Sequence, residues 1–191
     1  MTSRSLADLR ASLPEWARDV KLNLQAALTT GGALTDAQRW GVALASALAA
    51  RSGELAGAIA TEAAAKVDAA VLDDARAAAS LMAMNNVYYR FRHQVGEEVY
   101  SRMPARLRMN RLGTPATTRA ELELFSLAAS AINGCEACVR AHEKAVREGG
   151  LTEEHVHEAV RVAAIVHAAA VSLEAASIEV KTEIAHAISP T

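Results

Sequence analysis

Apolar residues recur at helical intervals along most of the chain, and the polar residues that interrupt them have the character of helix ends. Thr35-Asp36-Ala37-Gln38 and Thr118-Arg119-Ala120-Glu121 each set a threonine three positions before a Gln or Glu, directly ahead of an apolar periodic stretch. Such a pair closes on itself: the hydroxyl accepts from a free helix N–H, and the amide or carboxylate reaches back to the threonine N–H. Each therefore predicts a helix start. Gly31-Gly32 and Gly113-Thr114-Pro115 supply loop punctuation just before them. Gly149-Gly150 marks a third break, after which Thr152-Glu153-Glu154 opens another helix with two acids at its positive end. The Ala-rich stretch from about Glu54 to Ala83 and the more polar segment from Tyr88 to Arg111 are expected to form helices joined by short turns.

Composition narrows the fold class. The chain is 51% hydrophobic but only 4% aromatic, and alanine and leucine carry most of the apolar content. That suits closely packed helices, and the β-branched and aromatic runs of a sheet are missing, so the expected class is all-α. With 191 residues, one well-buried domain is affordable. A weak repeat lays Leu44-Ala45-Ser46-Ala47 on Ala128-Ala129-Ser130-Ala131 and Ala77 to Met82 on Arg161 to Val166. It suggests a single compact domain of two similar halves, about 1–110 and about 111–191. In that register Arg39 stands opposite Glu123, Arg51 opposite Cys135, Glu54 opposite Cys138 and Ala58 opposite His142, so only the second half can be chemically active.

The formal charge of −2, with both signs interspersed, offers no basic stripe for nucleic acid. The N-terminal stretch does not read as a secretory signal. The most apolar run, Val162 to Leu173, is too short to span a bilayer and contains His167. A cytosolic protein without membrane contact is expected. Two cysteines three positions apart cannot scaffold such a chain, because a bridge between them closes a tiny loop. They point to chemistry instead.

That chemistry centres on Glu121 to Glu148, where Asn133-Gly134 stops one helix immediately before Cys135-Glu136-Ala137-Cys138 opens the next. At the helical advance per residue, Cys135, Cys138 and His142 fall within an arc of roughly 60°, so both sulfurs and the imidazole share a face. A helix N-terminus favours thiolate. The net kinetic gain is only a few-fold, because intrinsic nucleophilicity falls along with the thiol pKa. A placed acid contributes far more when a peroxide O–O bond releases a basic alkoxide, roughly 10² to 10⁴. His142 is the candidate for that proton transfer, and Glu123 on the preceding helix could orient or recharge it. A zinc site of two Cys, one His and one Glu is stereochemically allowed, though structural zinc prefers more sulfur. The remaining histidines, His93, His155, His157, His167 and His186, lack a comparable constellation. Met82, Met84, Tyr88, Tyr89 and Phe91 read as packing, or as a pocket wall beside the site.

Glu123, Ser130-Ala131-Ile132-Asn133-Gly134-Cys135, Cys138 and Ala141-His142 together resemble the alkyl hydroperoxide reductase D proteins of actinobacteria, within the carboxymuconolactone decarboxylase-like superfamily. Leu13-Pro14-Glu15, Asp19 to Leu24, Met84-Asn85-Asn86-Val87-Tyr88-Tyr89-Arg90 and Leu107 to Asn110 extend the likeness over nearly the whole chain. The resemblance implies a homotrimer that reduces hydroperoxides to alcohols. Electrons come from a dihydrolipoyl group on a lipoylated acyltransferase protein, and no cofactor is tightly bound. It makes Cys138 the peroxidatic residue and Cys135 the resolving one, which forms the disulfide with Cys138 and is the more exposed sulfur toward the dihydrolipoyl thiol. Glu123 and His142 become a proton relay.

Helix electrostatics alone favour Cys135 as the more acidic sulfur, since it lies nearer the helix start. The sequence also departs from the family at Ala137, a position often occupied by histidine. Two further readings share or discard these residues: a redox adaptor that regenerates a peroxiredoxin with little peroxidase activity, and a structural or decarboxylase-like helical protein.

Overall fold

The computed structural model describes residues 4–178, so His186 lies outside the described residues. Among these the chain is all helical: α1 (Leu6–Ser12), α2 (Arg18–Thr29), α3 (Asp36–Ala49), α4 (Gly53–Ala63), α5 (Ala69–Val95), α6 (Glu98–Arg102), α7 (Arg119–Ile132), α8 (Glu136–Glu148) and α9 (Glu153–Ser177). Both threonine boxes form as their spacing predicts. The Gln38 N–H donates to Thr35 Oγ1 and the Thr35 N–H to Gln38 Oε1, and Thr118 and Glu121 exchange the same pair of bonds. At α9 the Thr152 N–H instead finds His155 Nδ1, at 3.2 Å.

Helices α3 and α7 are buried on nearly every side, through Gln38–Ala47 and Leu122–Ser130, and so form the middle of the molecule. Gly41 on α3 lies against Phe125 on α7, and a Cβ at position 41 would overlap the aromatic ring. The two central helices thus approach through a missing side chain. Around them, α5 and α9 contribute Val71, Ala75, Ala78, Ala159, Val162 and Val166 to the core.

Three expectations need correction. The Tyr88 to Arg111 segment is not a set of helices joined by short turns. Helix α5 runs unbroken to Val95, where Gly96 in the left-handed region stops it, and beyond the short α6 the backbone is irregular to a 3₁₀ turn at Asn110–Gly113. Pro104 removes a donor and disfavours helix at Met103. The loop is held from outside instead. The buried Asp74 carboxylate of α5 accepts from the Ala116 N–H at 3.0 Å, the Thr117 N–H at 2.8 Å and Thr117 Oγ1 at 2.7 Å, and pairs with Arg111. Burial opposes charge on Asp74, but these donors outweigh it and hold its carboxyl below the ordinary range.

Second, the run Val162 to Leu173 belongs to α9, which at 25 residues is long and apolar enough to cross a bilayer by length and composition. Its inner face is a core face, with Ala159, Val162, Ala163, Val166 and Ala169 packed inside. Third, the helix caps around the turn that matters stand one residue out of the expected register. Helices α3, α4 and α5 lie in the first part of the chain and α7, α8 and α9 in the second. The left-handed residue before α4 is Arg51 and that before α8 is Gly134, with Ser52 and Cys135 as the following N-caps. Counted from those caps, Ser52 stands opposite Cys135, Leu55 opposite Cys138 and Ile59 opposite His142. Counted from the Thr35 and Thr118 caps, Trp40 stands opposite Glu123. In an Ala-rich chain a shift of one residue costs an alignment little, whereas a backbone φ admits no such slip.

Candidate active site

The turn between α7 and α8 is built by Gly134. Its φ of 66° lies in the left-handed region, where only glycine is free of strain. The reversal leaves Cys135 as N-cap of α8, with its N–H donating to Ser130 O at 3.2 Å. Its sulfur accepts from the Cys138 N–H at 3.3 Å, so Sγ of Cys135 occupies the place usually taken by a capping oxygen. The two sulfurs are joined as a disulfide, with Cα atoms 5.3 Å apart.

Helix α5 holds this turn from behind. Asn86 Nδ2 donates to Ser130 Oγ at 2.9 Å, Asn86 Oδ1 accepts from Asn133 Nδ2 at 2.9 Å, and Arg90 Nη1 donates to Asn133 O. These residues sit in the Met84 to Arg90 stretch, whose likeness to a known family was visible in sequence but whose task was not. The available signal was the i, i+4 spacing of Asn86 and Arg90, which puts amide and guanidinium on one face.

His142 and Glu123 come together as expected. Nδ1 lies 2.7 Å from Glu123 Oε2, and both residues are buried. The other ring nitrogen, Nε2, lies 3.1 Å from the sulfur of Met82, itself fully buried. A carboxylate accepts from Nδ1–H and fixes the ring, while a thioether accepts weakly and donates nothing. Met82 therefore makes only a weak contact with Nε2.

Cys138 and His142 line a cleft of about 190 Å³ together with Asn85, Tyr89, Ala137 and Ala141. A larger hollow of about 420 Å³ lies at Ala33, Glu153, Glu154, His157, Glu158 and Arg161, but it contains no nucleophile and is shallow and open. The smaller one is the cleft that holds a cysteine of the disulfide. Tyr89 serves as pocket wall, Met82 packs against the imidazole, and Phe91 is exposed, stacked edge-on against Tyr100. His93 is a surface residue 3.3 Å from Glu136, and His155, His157 and His167 lie on α9, outside the cleft.

One expectation about the cysteines is overturned. Cys135 is completely buried, while Cys138 is 6% exposed and faces the cleft. As N-cap, Cys135 is covered by the turn that precedes it, whereas Cys138 lies a turn further along the face that α8 shows to the cleft. A zinc site would need both sulfurs as separate ligands, and here they bind each other. Among the described residues, no group of three His, Cys, Asp or Glu side chains is arranged to hold a metal.

The chain is 65% identical over 170 residues to the alkyl hydroperoxide reductase AhpD of Anaeromyxobacter sp. (strain Fw109-5), covering 89% of this chain and 91% of that protein. It belongs to the AhpD family of alkyl hydroperoxide reductases. The AhpD proteins of Rhodospirillum centenum and Brucella canis are 48% and 46% identical, over 90% and 92% of this chain and 91% and 99% of theirs. Residues 99–178 also match the Carboxymuconolactone decarboxylase family, which takes in α7, α8 and α9. Within AhpD, the Cys135–Cys138 bridge is the Cys-x-x-Cys pair of an oxidoreductase.

Proposed function

We propose that this chain reduces organic hydroperoxides to alcohols with electrons from a dihydrolipoyl group carried by a lipoylated acyltransferase protein, cycling Cys135 and Cys138 between dithiol and disulfide. One observation carries the reading: one cysteine of a redox pair, Cys138, shares a small cleft with an imidazole whose Nδ1 is held by a buried carboxylate. In the reduced enzyme the Cys138 thiolate attacks the terminal peroxide oxygen. The O–O bond breaks, the sulfur becomes a sulfenic acid, and the alkoxide leaves with a proton from His142. Cys135 then attacks that sulfenic sulfur, releasing water and closing the disulfide.

For the return step, the buried position of Cys135 favours entry of the dihydrolipoyl thiolate at Cys138. Cys135 departs as thiolate, stabilised by the Cys138 N–H and the positive end of α8. The second lipoyl thiol then frees Cys138. Such a couple suits the cytosol, where thiols are kept reduced. Purified protein given dihydrolipoamide and tert-butyl hydroperoxide should form alcohol and lipoamide in equal amounts. Disulfide exchange without peroxide consumption would instead favour the adaptor reading, in which a partner peroxiredoxin takes the electrons. The methyl group of Ala137 on the cleft wall is the observation that keeps that second reading open.

Glu123→Gln keeps the shape of the relay and removes its charge. Peroxide turnover should fall about 10²-fold with little change in melting temperature, as read by coupled assay and thermal denaturation. A homotrimer is proposed on the apolar stripe formed by Val87, Phe91 and Val95 on α5 with Val99, Tyr100 and Met103, all exposed. Sedimentation at three times the chain mass supports it, and a monomer at working concentration overturns it.

A further inference from the structure

A cavity of about 170 Å³ lies against a different side of α5 from the cleft and shares no residue with it. Its polar lining consists of Arg51, Asn86, Arg90 and Asn133; the rest is apolar side chain from α3 and α5, with no Asp or Glu. The two amides are engaged with each other, Asn133 Nδ2 donating to Asn86 Oδ1 at 2.9 Å. Arg90 spends one of its five donors on Asn133 O. Among the described residues neither guanidinium forms an ion pair. Two cations therefore line one small cavity without a counter-charge, and their mutual repulsion is relieved when an anion enters. A second observation concerns the backbone. Arg51 is held at a φ of 60°, which is strained for any residue with a Cβ, whereas the left-handed residue before α8 is the unstrained Gly134. Glycine would serve the α3–α4 turn equally well, yet the chain has there a long cationic side chain that lines the cavity.

We propose that this cavity binds a small dianionic oxyanion of the phosphate class between the guanidiniums of Arg51 and Arg90. Guanidinium forks match the oxygens of such an anion two at a time. Two positive charges and no acid suit a dianion, whereas a monocarboxylate would leave one cation uncompensated. The inference is independent of the peroxidase reading, because none of these residues takes part in it. It does touch the catalytic turn structurally. Arg90 already grips the carbonyl of Asn133, the residue before Gly134, so an anion held by Arg90 and Arg51 fastens the α3–α4 turn to the one that carries Cys135.

The test compares the wild type with Arg51→Gly, which removes the guanidinium and suits the left-handed backbone. Inorganic phosphate is the probe, with sulfate as a second dianion and acetate as a monoanion, all against sodium chloride of equal ionic strength. Millimolar phosphate and sulfate should each raise the wild-type melting temperature by about 3 °C, and acetate should not. In Arg51→Gly the rise should vanish. Phosphate and sulfate also stabilise proteins generally by exclusion from the surface, so an equal rise in both proteins overturns the proposal, as does no rise in the wild type. An equal rise with acetate overturns the dianion class. Calorimetric titration of the wild type gives a reading that needs no variant: about one phosphate per chain supports the site, and none removes it. A lower sedimentation mass for Arg51→Gly, with no phosphate response in the wild type, would instead show that a carboxylate of a second copy fills the cavity.

Discussion

Cys138→Ser should consume no hydroperoxide above the uncatalysed background, a loss of at least about 10³-fold. A serine hydroxyl is not ionised at neutral pH and cannot accept the peroxide oxygen as sulfur does. The informative partner is Cys135→Ser. There Cys138 still forms its sulfenic acid, but no second thiol resolves it, so one equivalent of alcohol appears and turnover stops. Mass spectrometry after dimedone trapping should find the adduct on Cys138 in that variant and none in Cys138→Ser. A stoichiometric burst from Cys138→Ser would exchange the two roles and restore the helix-end argument for Cys135.

The second large effect falls on stability. Arg39 Nη1 lies 2.9 Å from Glu158 Oε1 and also donates to Ala27 O, while Nη2 donates to Leu34 O. Glu158 Oε2 accepts from the Ala33 and Leu34 N–H groups. The pair ties α2, the loop before α3, α3 itself and α9 together at a point almost closed to water. Arg39→Met removes the nearer cation and leaves Glu158 only the part-exposed Arg161, 3.6 Å away, which should cost about 3 kcal/mol in urea denaturation.

The pH dependence follows from the same contacts. Burial opposes charge on Glu158, but the Leu34 and Ala33 N–H groups and Arg39 outweigh it and hold its carboxyl below the ordinary glutamate range. A depressed folded-state pKa contributes stability above the unfolded value, and that contribution is lost as pH falls through the folded one. Wild type should therefore lose stability below about pH 5. The deficit of Arg39→Met should shrink over the same range, because protonated Glu158 no longer needs its partner. Asp74 adds to the wild-type acid sensitivity with the same sign.

The sequence carried the local parts of this molecule well. Thr35 with Gln38 and Thr118 with Glu121 mark helix starts because the interacting groups lie three residues apart. Cys138 and His142 share a face of α8 for a similar reason, and the pairing of His142 with Glu123 needed only the neighbouring helix. What was hidden depends on distant partners. Arg39 and Glu158 are 119 residues apart, and Asp74 holds a loop 42 and 43 residues further on. Nothing local announces that Asn85, Asn86 and Arg90 will face the cysteine turn and its cleft. The burial of Cys135 was likewise invisible, since exposure is decided by the residues that cover a turn and not by its own spacing.

The contact between Gly41 and Phe125 sets a limit on how freely this protein can vary. Alanine is abundant in the core helices, and at those positions a scan that trims side chains down to a methyl group changes nothing. At position 41 the same scan enlarges the residue, and the added carbon meets a ring in the middle of the fold. The limit there is set by the absence of a side chain, and a library that treats glycine-to-alanine as neutral would lose its members at that position.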